Sequence, residues 1–119
     1  MKYRVIRIQE PLSFGGWEGT LEVAALTDEE RAARFSTEYI VDAETPFDAA
    51  VSAEGMADGF TDAQMDEDQG GARTRREQIE DRILHYSING KHGNRRTDGG
   101  IVFPFNNIAS DNMIVYEEG

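Results

Sequence analysis

Asp66, Asp68, Gly71 and Glu77 stand at relative positions 1, 3, 6 and 12 of a twelve-residue stretch. A calcium loop sets its first two carboxylates, its turn glycine and its bidentate glutamate at those places. The chemistry would be oxygen ligation of a hard cation. The pattern is incomplete, because Gly70 falls where a third oxygen side chain belongs and Arg73 replaces the usual apolar residue at position 8. Arg75 and Arg76 add positive charge beside the would-be ion. Lost ligands and added repulsion favour an acidic turn leading into a helix. Asp66, Asp68 and Glu77 remain the alternative metal set, and the main expectation is no metal and no cofactor.

His85 and His92 are the only histidines, and the chain has no cysteine. A zinc site needs three or four ligands at defined spacing, so one packed and one surface histidine is the favoured reading. The chain has no G-x-S-x-G elbow, no phosphate loop and no H-E-x-x-H helix. Gly90-Lys91 lacks both the upstream glycine and the Ser/Thr of a phosphate loop. Acid pairs are plentiful, so composition leaves a glycosidase-like carboxylate couple open. The single Trp17 and the short chain speak against a sugar cleft. An enzyme is not expected, and no catalytic residue is assigned.

The strongest signal is charge. From residue 35 to residue 72 the chain runs 38 residues without Lys or Arg and carries ten acids: Glu38, Asp42, Glu44, Asp48, Glu54, Asp58, Asp62, Asp66, Glu67 and Asp68. That block accounts for most of the formal net charge of −11. A one-sign block repels nucleic acid and anionic lipid and attracts basic protein surfaces. Residues 72–98 reverse the sign, with seven bases against four acids. Their arginines could touch phosphate, but little aromatic character interleaves them and the acidic half opposes binding. Three arginines near a helix N-terminus are also unfavourable against the macrodipole, so the chain's own acids, or those of a second copy, are expected to compensate them.

The functional reading of the acidic run is charge mimicry, set against an ordinary solvated face. Duplex DNA carries one negative charge per ~1.7 Å of axis, and helical carboxylates three or four residues apart lie about 5–6 Å from one another. Glu38 and Asp42, flanking Ile40, project from one strand face. Small acidic inhibitors encoded by phages and mobile elements, including anti-restriction and anti-CRISPR proteins, use this device. The chain is similar to them in size and charge alone, and no motif is shared.

With 119 residues, the chain has the usual size of one domain and buries roughly 65% of its unfolded surface. Apolar residues make up 39% and fall in periodic groups, as a folded protein requires. Met1–Glu10 interrupts its apolar residues with Lys2, Arg4 and Arg7, so no signal peptide is read there. No apolar run of about 18 residues could span a membrane. A cytoplasmic protein is the expectation. Only two of the twelve bases are lysine, but the clustering of acid favours a specific acidic face over general salt adaptation.

Several elements must position these charges. Tyr3–Ile8 reads as a strand whose alternation breaks at Val5–Ile6, so that either both faces are buried or a bulge intervenes. Pro11–Gly19 reads as a turn and Thr20–Leu26 as a second strand. Thr27 N-caps a helix of a turn or two ending before Phe35. Phe35–Ala43 alternates as a half-buried strand with an acidic outer face. Thr45-Pro46-Phe47-Asp48 gives an N-cap, proline at the first helical position and an acid three places on. The helix it opens packs Phe47, Ala50 and Val51 and ends at Gly55 or Gly59. Thr61–Gly71 is a short helix or a loop. Thr74–Tyr86 is a longer helix packing Ile79, Ile83 and Tyr86, stopped by Asn89-Gly90. Lys91–Gly100 is a basic loop. Ile101, Phe103 and Phe105 form a strand face with Pro104 at an edge position, and Met113–Tyr116 is the last strand.

These elements define an α+β fold: one domain over 1–119, a mostly antiparallel sheet of about four or five strands with two to three helices. Its acidic half is 1–71, its basic helix and loop 72–98, and its C-terminal strand pair 99–119. The expected function is a non-enzymatic interaction or inhibitor protein. Glu38, Asp42, Glu44, Asp48, Glu54, Asp58 and Asp62 would dock on a basic, nucleic-acid-binding protein or complex. No direct contact with nucleic acid or membrane is expected. The alternatives are a small ligand- or calcium-binding accessory domain, or a subunit of a homo-oligomer such as a homodimer.

Overall fold

Four strands rich in apolar residues, with a two-residue polar strand at one edge, build the sheet. The computed structural model describes residues 1–9, 27–67, 71, 73–108 and 111–118. Its strands are β1 (Lys2–Ile8), β2 (Ser36–Asp42), β3 (Asn94–Arg95), β4 (Ile101–Pro104) and β5 (Asn112–Glu117). They lie in the order β2-β1-β5-β4-β3, each neighbouring pair antiparallel. The α-helices among the described residues are α1 (Asp28–Phe35), α2 (Pro46–Ala57), α3 (Asp62–Met65) and α4 (Arg75–Tyr86), with a 3-10 turn at Gly90–His92. This is the expected α+β class. The turn expected at Pro11–Gly19 and the strand expected at Thr20–Leu26 lie outside the described residues.

β1 pairs residue for residue with β2 on one side and β5 on the other, so no bulge interrupts Val5–Ile6. The broken alternation reflects a sheet with apolar residues on both faces. Tyr3, Val5, Val41, Phe103, Met113 and Val115 share the face under the helices and are buried. Ile8 and Ile114, on the other face, are buried too. α2 packs on β1, β2, β4 and β5 and against α4, bringing Phe47, Ala50 and Val51 into the core with Ile79 and Ile83 of α4. Phe47 meets Phe103 edge to face at 5.8 Å between ring centres.

Local signals set the helix ends. Thr27, Thr61 and Thr74 each accept from the amide three residues on, and Glu30, Gln64 and Glu77 reach back to the cap amide. These are three complete capping boxes. Thr45 accepts from the Asp48 amide at 3.1 Å, and Pro46 opens α2 without losing a needed donor. α2 runs through Gly55, of the two expected end points, and stops before Gly59. The Gly59 amide donates to Met56 and the Phe60 amide to Gly55, each at 3.0 Å, and Gly59 takes a φ of 84°. That pair of bonds is a Schellman closure. Position 55 is held by glycine because a Cβ there would run into the Met65 sulfur; its bare backbone seats α3 against α2.

Two expectations change. Tyr86, the last residue of α4, is 36% exposed and stands edge-on to His85, so Ile79 and Ile83, with half-buried Leu84 beside them, anchor the helix. The basic loop Lys91–Gly100 contains β3, which pairs Asn94 with Val102 and Arg95 with Ile101. Pro104 lies beyond those two pairs, at a stretch of β4 with β5 as its only strand neighbour among the described residues, as its missing donor requires.

Candidate functional site

The acids of the long run gather at the two ends of α2, and the two groups differ in how they are compensated. At its C-terminal end Asp58, Asp62, Asp66 and Glu67 face the arginines of α4. Arg76 Nε donates to Asp66 Oδ1 at 2.8 Å. Arg75 Nη1 lies 3.9 Å from Glu67 Oε2, with its guanidinium 4.3 Å from the centre of the Phe60 ring. Arg82 Nη2 lies 3.9 Å from Asp58 Oδ2, and Arg73 pairs with Asp81. Asp66, through its hydrogen bond, raises the Arg76 pKa above the ordinary value. The arginines crowding the start of α4 are thus answered by the chain's own carboxylates, as expected.

Glu54 leaves the set of surface residues. It is 3% exposed and holds two arginines. Arg7 Nε donates to its Oε2 at 2.6 Å and Arg7 Nη2 to its Oε1 at 3.3 Å. Arg82 Nη2 donates to Oε1 at 2.9 Å. Arg7 points to the helix side because it shares the parity of Tyr3 and Val5, and its guanidinium stacks 4.2 Å from the centre of the Phe105 ring. A carboxylate in this position is a core tie between β1, α2 and α4 and cannot touch a partner. The sequence marked it as one acid among ten. Its signal was its place in α2 next to Ala53 and Gly55, on the side that packs.

At the other end of α2 the acids stay open. Asp42, Glu44 and Asp48 have no basic side chain within 4 Å among the described residues, and neither does Asp62 near the far end. Asp42 and Glu44 are exposed, and Asp48 is half-buried. Glu38 lies 3.8 Å from Arg4, which is drawn more closely to Glu118 at 3.0 Å. The pairing of β1 with β5 adds Glu117 opposite Tyr3. Burial, then Glu117, then Asp48 push the Tyr3 pKa up, so acids far apart in sequence act on one point. Sequence reasoning missed Glu117 and Glu118, since only strand order brings them here. The expected set therefore resolves into Asp42, Glu44 and Asp48 with Glu38 at one end, Asp58 and Asp62 at the other, and Glu54 inside.

The alternative metal set does not assemble from what is described. Asp66 is held by Arg76, and Glu77 Oε1 accepts from the Thr74 amide at 3.3 Å as a helix cap. Asp68 lies outside the described residues. Among the described residues no three His, Asp or Glu side chains group to hold an ion. Both His85 and His92 are exposed, where one packed histidine was expected. No helix among them is long and apolar enough to cross a membrane.

A second polar cluster went unnoticed in the sequence. Tyr116 Oη donates to Asp98 Oδ2 at 2.9 Å, and the Gly100 amide donates to Asp98 Oδ1 at 3.0 Å. Arg96 lies 3.4 Å from the same carboxylate, and the Arg4 guanidinium stands 4.7 Å from the centre of the Tyr116 ring. This group fastens the β3–β4 turn to β5. Comparison with known proteins found no family model, no curated protein and no solved structure that matches this chain.

Proposed function

We propose that this chain is a non-enzymatic interaction protein, acting in the cytoplasm, whose acidic end docks on the basic, nucleic-acid-binding surface of a partner protein. Competition with nucleic acid is the mechanism, as in anti-restriction and anti-CRISPR inhibitors. The docking residues are Asp42, Glu44 and Asp48 with Glu38, and Asp58 and Asp62 extend the field. One observation carries the reading: Asp42, Glu44 and Asp48 keep no basic neighbour within 4 Å among the described residues, while acids at the opposite end of α2 are largely paired. Unspent carboxylates at one end give a directional field, which steers encounter with a positive surface.

The test is capture of the partner from the native host by two variants. One changes Asp42, Glu44 and Asp48 to Lys; the other changes Arg73, Arg75 and Arg76 to Glu. The first is expected to lose the partner and the second to keep it, with added salt weakening wild-type binding. Loss by the arginine variant alone, or binding that ignores salt, overturns the proposal.

A further inference from the structure

We propose that the outer edge of β2 takes up an extended segment of the partner as an added strand, with basic residues opposite Glu38 and Asp42 and an apolar residue opposite Ile40. The inference rests on the docking reading above and gives it a geometry.

The ladder sets which groups are free. The Met1 and Ala43 backbones exchange hydrogen bonds at 3.1 and 3.0 Å. At the other end of the same pairing Gln9 donates to Phe35 at 3.2 Å. Bonded and non-bonded pairs alternate along an antiparallel ladder. The register Tyr3 to Val41, Val5 to Tyr39 and Arg7 to Thr37 therefore carries the bonds to β1. The N–H and C=O groups of Glu38, Ile40 and Asp42 turn to the open side, where β2 has no strand neighbour among the described residues. Three donors and three acceptors stand in a row.

Such an edge is usually defended by shortness, a bulge, proline or charged side chains, lysine above all. The opposite edge is defended: β3 is two residues long. β2 has seven residues in unbroken register and carries no Lys, Pro or bulge; its charges, Glu38 and Asp42, are both acidic and so repel an acidic strand and attract a basic one. Its side chains also suit an incoming strand. Residues directly opposite in a bonded pair share a face, and Glu38, Ile40 and Asp42 all lie on the face away from α2 and α4. Ile40 is 51% exposed and the Glu38 side chain 55% exposed. The matching strand alternates basic, any, apolar, any, basic. A second copy fits worse. Two-fold pairing centred on Glu38 or Ile40 sets acid opposite acid, pairing centred on Tyr39 or Val41 sets an acid opposite Ile40, and each copy carries −11.

The probe is a capped peptide, Thr-Lys-Thr-Val-Thr-Lys-Thr, titrated into the whole chain and followed by calorimetry and amide hydrogen exchange. Binding is expected to slow exchange at Glu38, Ile40 and Asp42. Methylating the backbone nitrogen of the valine, which keeps every charge, is expected to weaken binding at least tenfold. Ile40→Pro is expected to do the same, because it removes an outward N–H and leaves the β1 ladder bonded. Equal binding by the methylated peptide and by Ile40→Pro overturns strand addition and leaves charge docking standing. Binding unaffected by Glu38→Lys with Asp42→Lys overturns the charge reading instead. No binding at millimolar peptide, or a wild-type dimer that Ile40→Pro dissociates, also overturns the proposal.

Discussion

Arg7 and Glu54 meet through two hydrogen bonds, 2.6 and 3.3 Å long, between the sixth residue of β1 and the ninth of α2. The pair brings a central strand and the main helix to a fixed azimuth, and Arg82 of α4 closes on the same carboxylate at 2.9 Å. Both Arg7 and Glu54 sit out of water, at 14% and 4% side-chain exposure. Their value lies in the cost of parting them. A buried charge that loses its partner keeps its desolvation penalty without the compensating attraction.

Glu54→Gln is therefore expected to destabilise the fold by about 3–5 kcal/mol. Asp58→Asn removes only the long contact to Arg82, 3.9 Å away and 41% exposed on the acid side, and is expected to cost less than about 0.5 kcal/mol. Urea unfolding of the two variants checks this. Equal midpoints would deny Glu54 its structural role.

Much of this fold was legible from short-range chemistry. Thr27, Thr45, Thr61 and Thr74 each begin a helix because a hydroxyl can accept from an amide three residues on, and that is a local fact. The alternation of Phe35–Ala43 likewise gave β2 and its acidic outer face. What a linear reading could not supply was pairing across distance. Glu54 looks like any acid of the run until Arg7, 47 residues away, reaches it across the sheet. Glu117 and Glu118 join the acidic end only through strand order. Gly55 read as a helix end because its purpose, room for Met65, lies in another element.

Gly93 takes a φ of 63° and a ψ of −171°, a region held almost entirely by glycine. A Cβ there would meet Ile101 Cγ2 at 2.6 Å and the Phe103 ring at 2.9 Å. Gly93→Ala is expected to cost about 1–3 kcal/mol in backbone strain, and about as much again in overpacking. Gly59 also has positive φ, at 84°, but open space around it, so Gly59→Ala carries the backbone cost of about 1–2 kcal/mol alone. Thermal melts that rank the two variants the other way would contradict this packing at the entry to β3.

The Tyr116–Asp98 contact makes a prediction in pH. Burial first, then the Asp98 hydrogen bond, raises the Tyr116 pKa above its usual 10.0. Its folded state holds the proton longer than the unfolded chain, so this stabilisation is complete below pH ~10 and fades as pH rises through the raised value. Asp98 moves the other way. The Gly100 amide, then Tyr116, lowers its pKa below the usual 3.8, so its contribution is present at neutral pH and fades as pH falls through the lowered value. Asp98→Asn should bring the Tyr116 titration down towards pH ~10, read by NMR of the ring carbons. A titration unmoved by that substitution would exclude the contact as a cause.

Competition for the captured partner tests the central claim most directly. The complex isolated from the native host is held on a support through this chain, and duplex DNA is added at constant salt. Docking on a nucleic-acid-binding surface predicts that DNA releases the partner in a dose-dependent way, and that free chain in excess displaces DNA from the same partner. Simultaneous binding of DNA and this chain to one partner molecule, with no release of either, would contradict it.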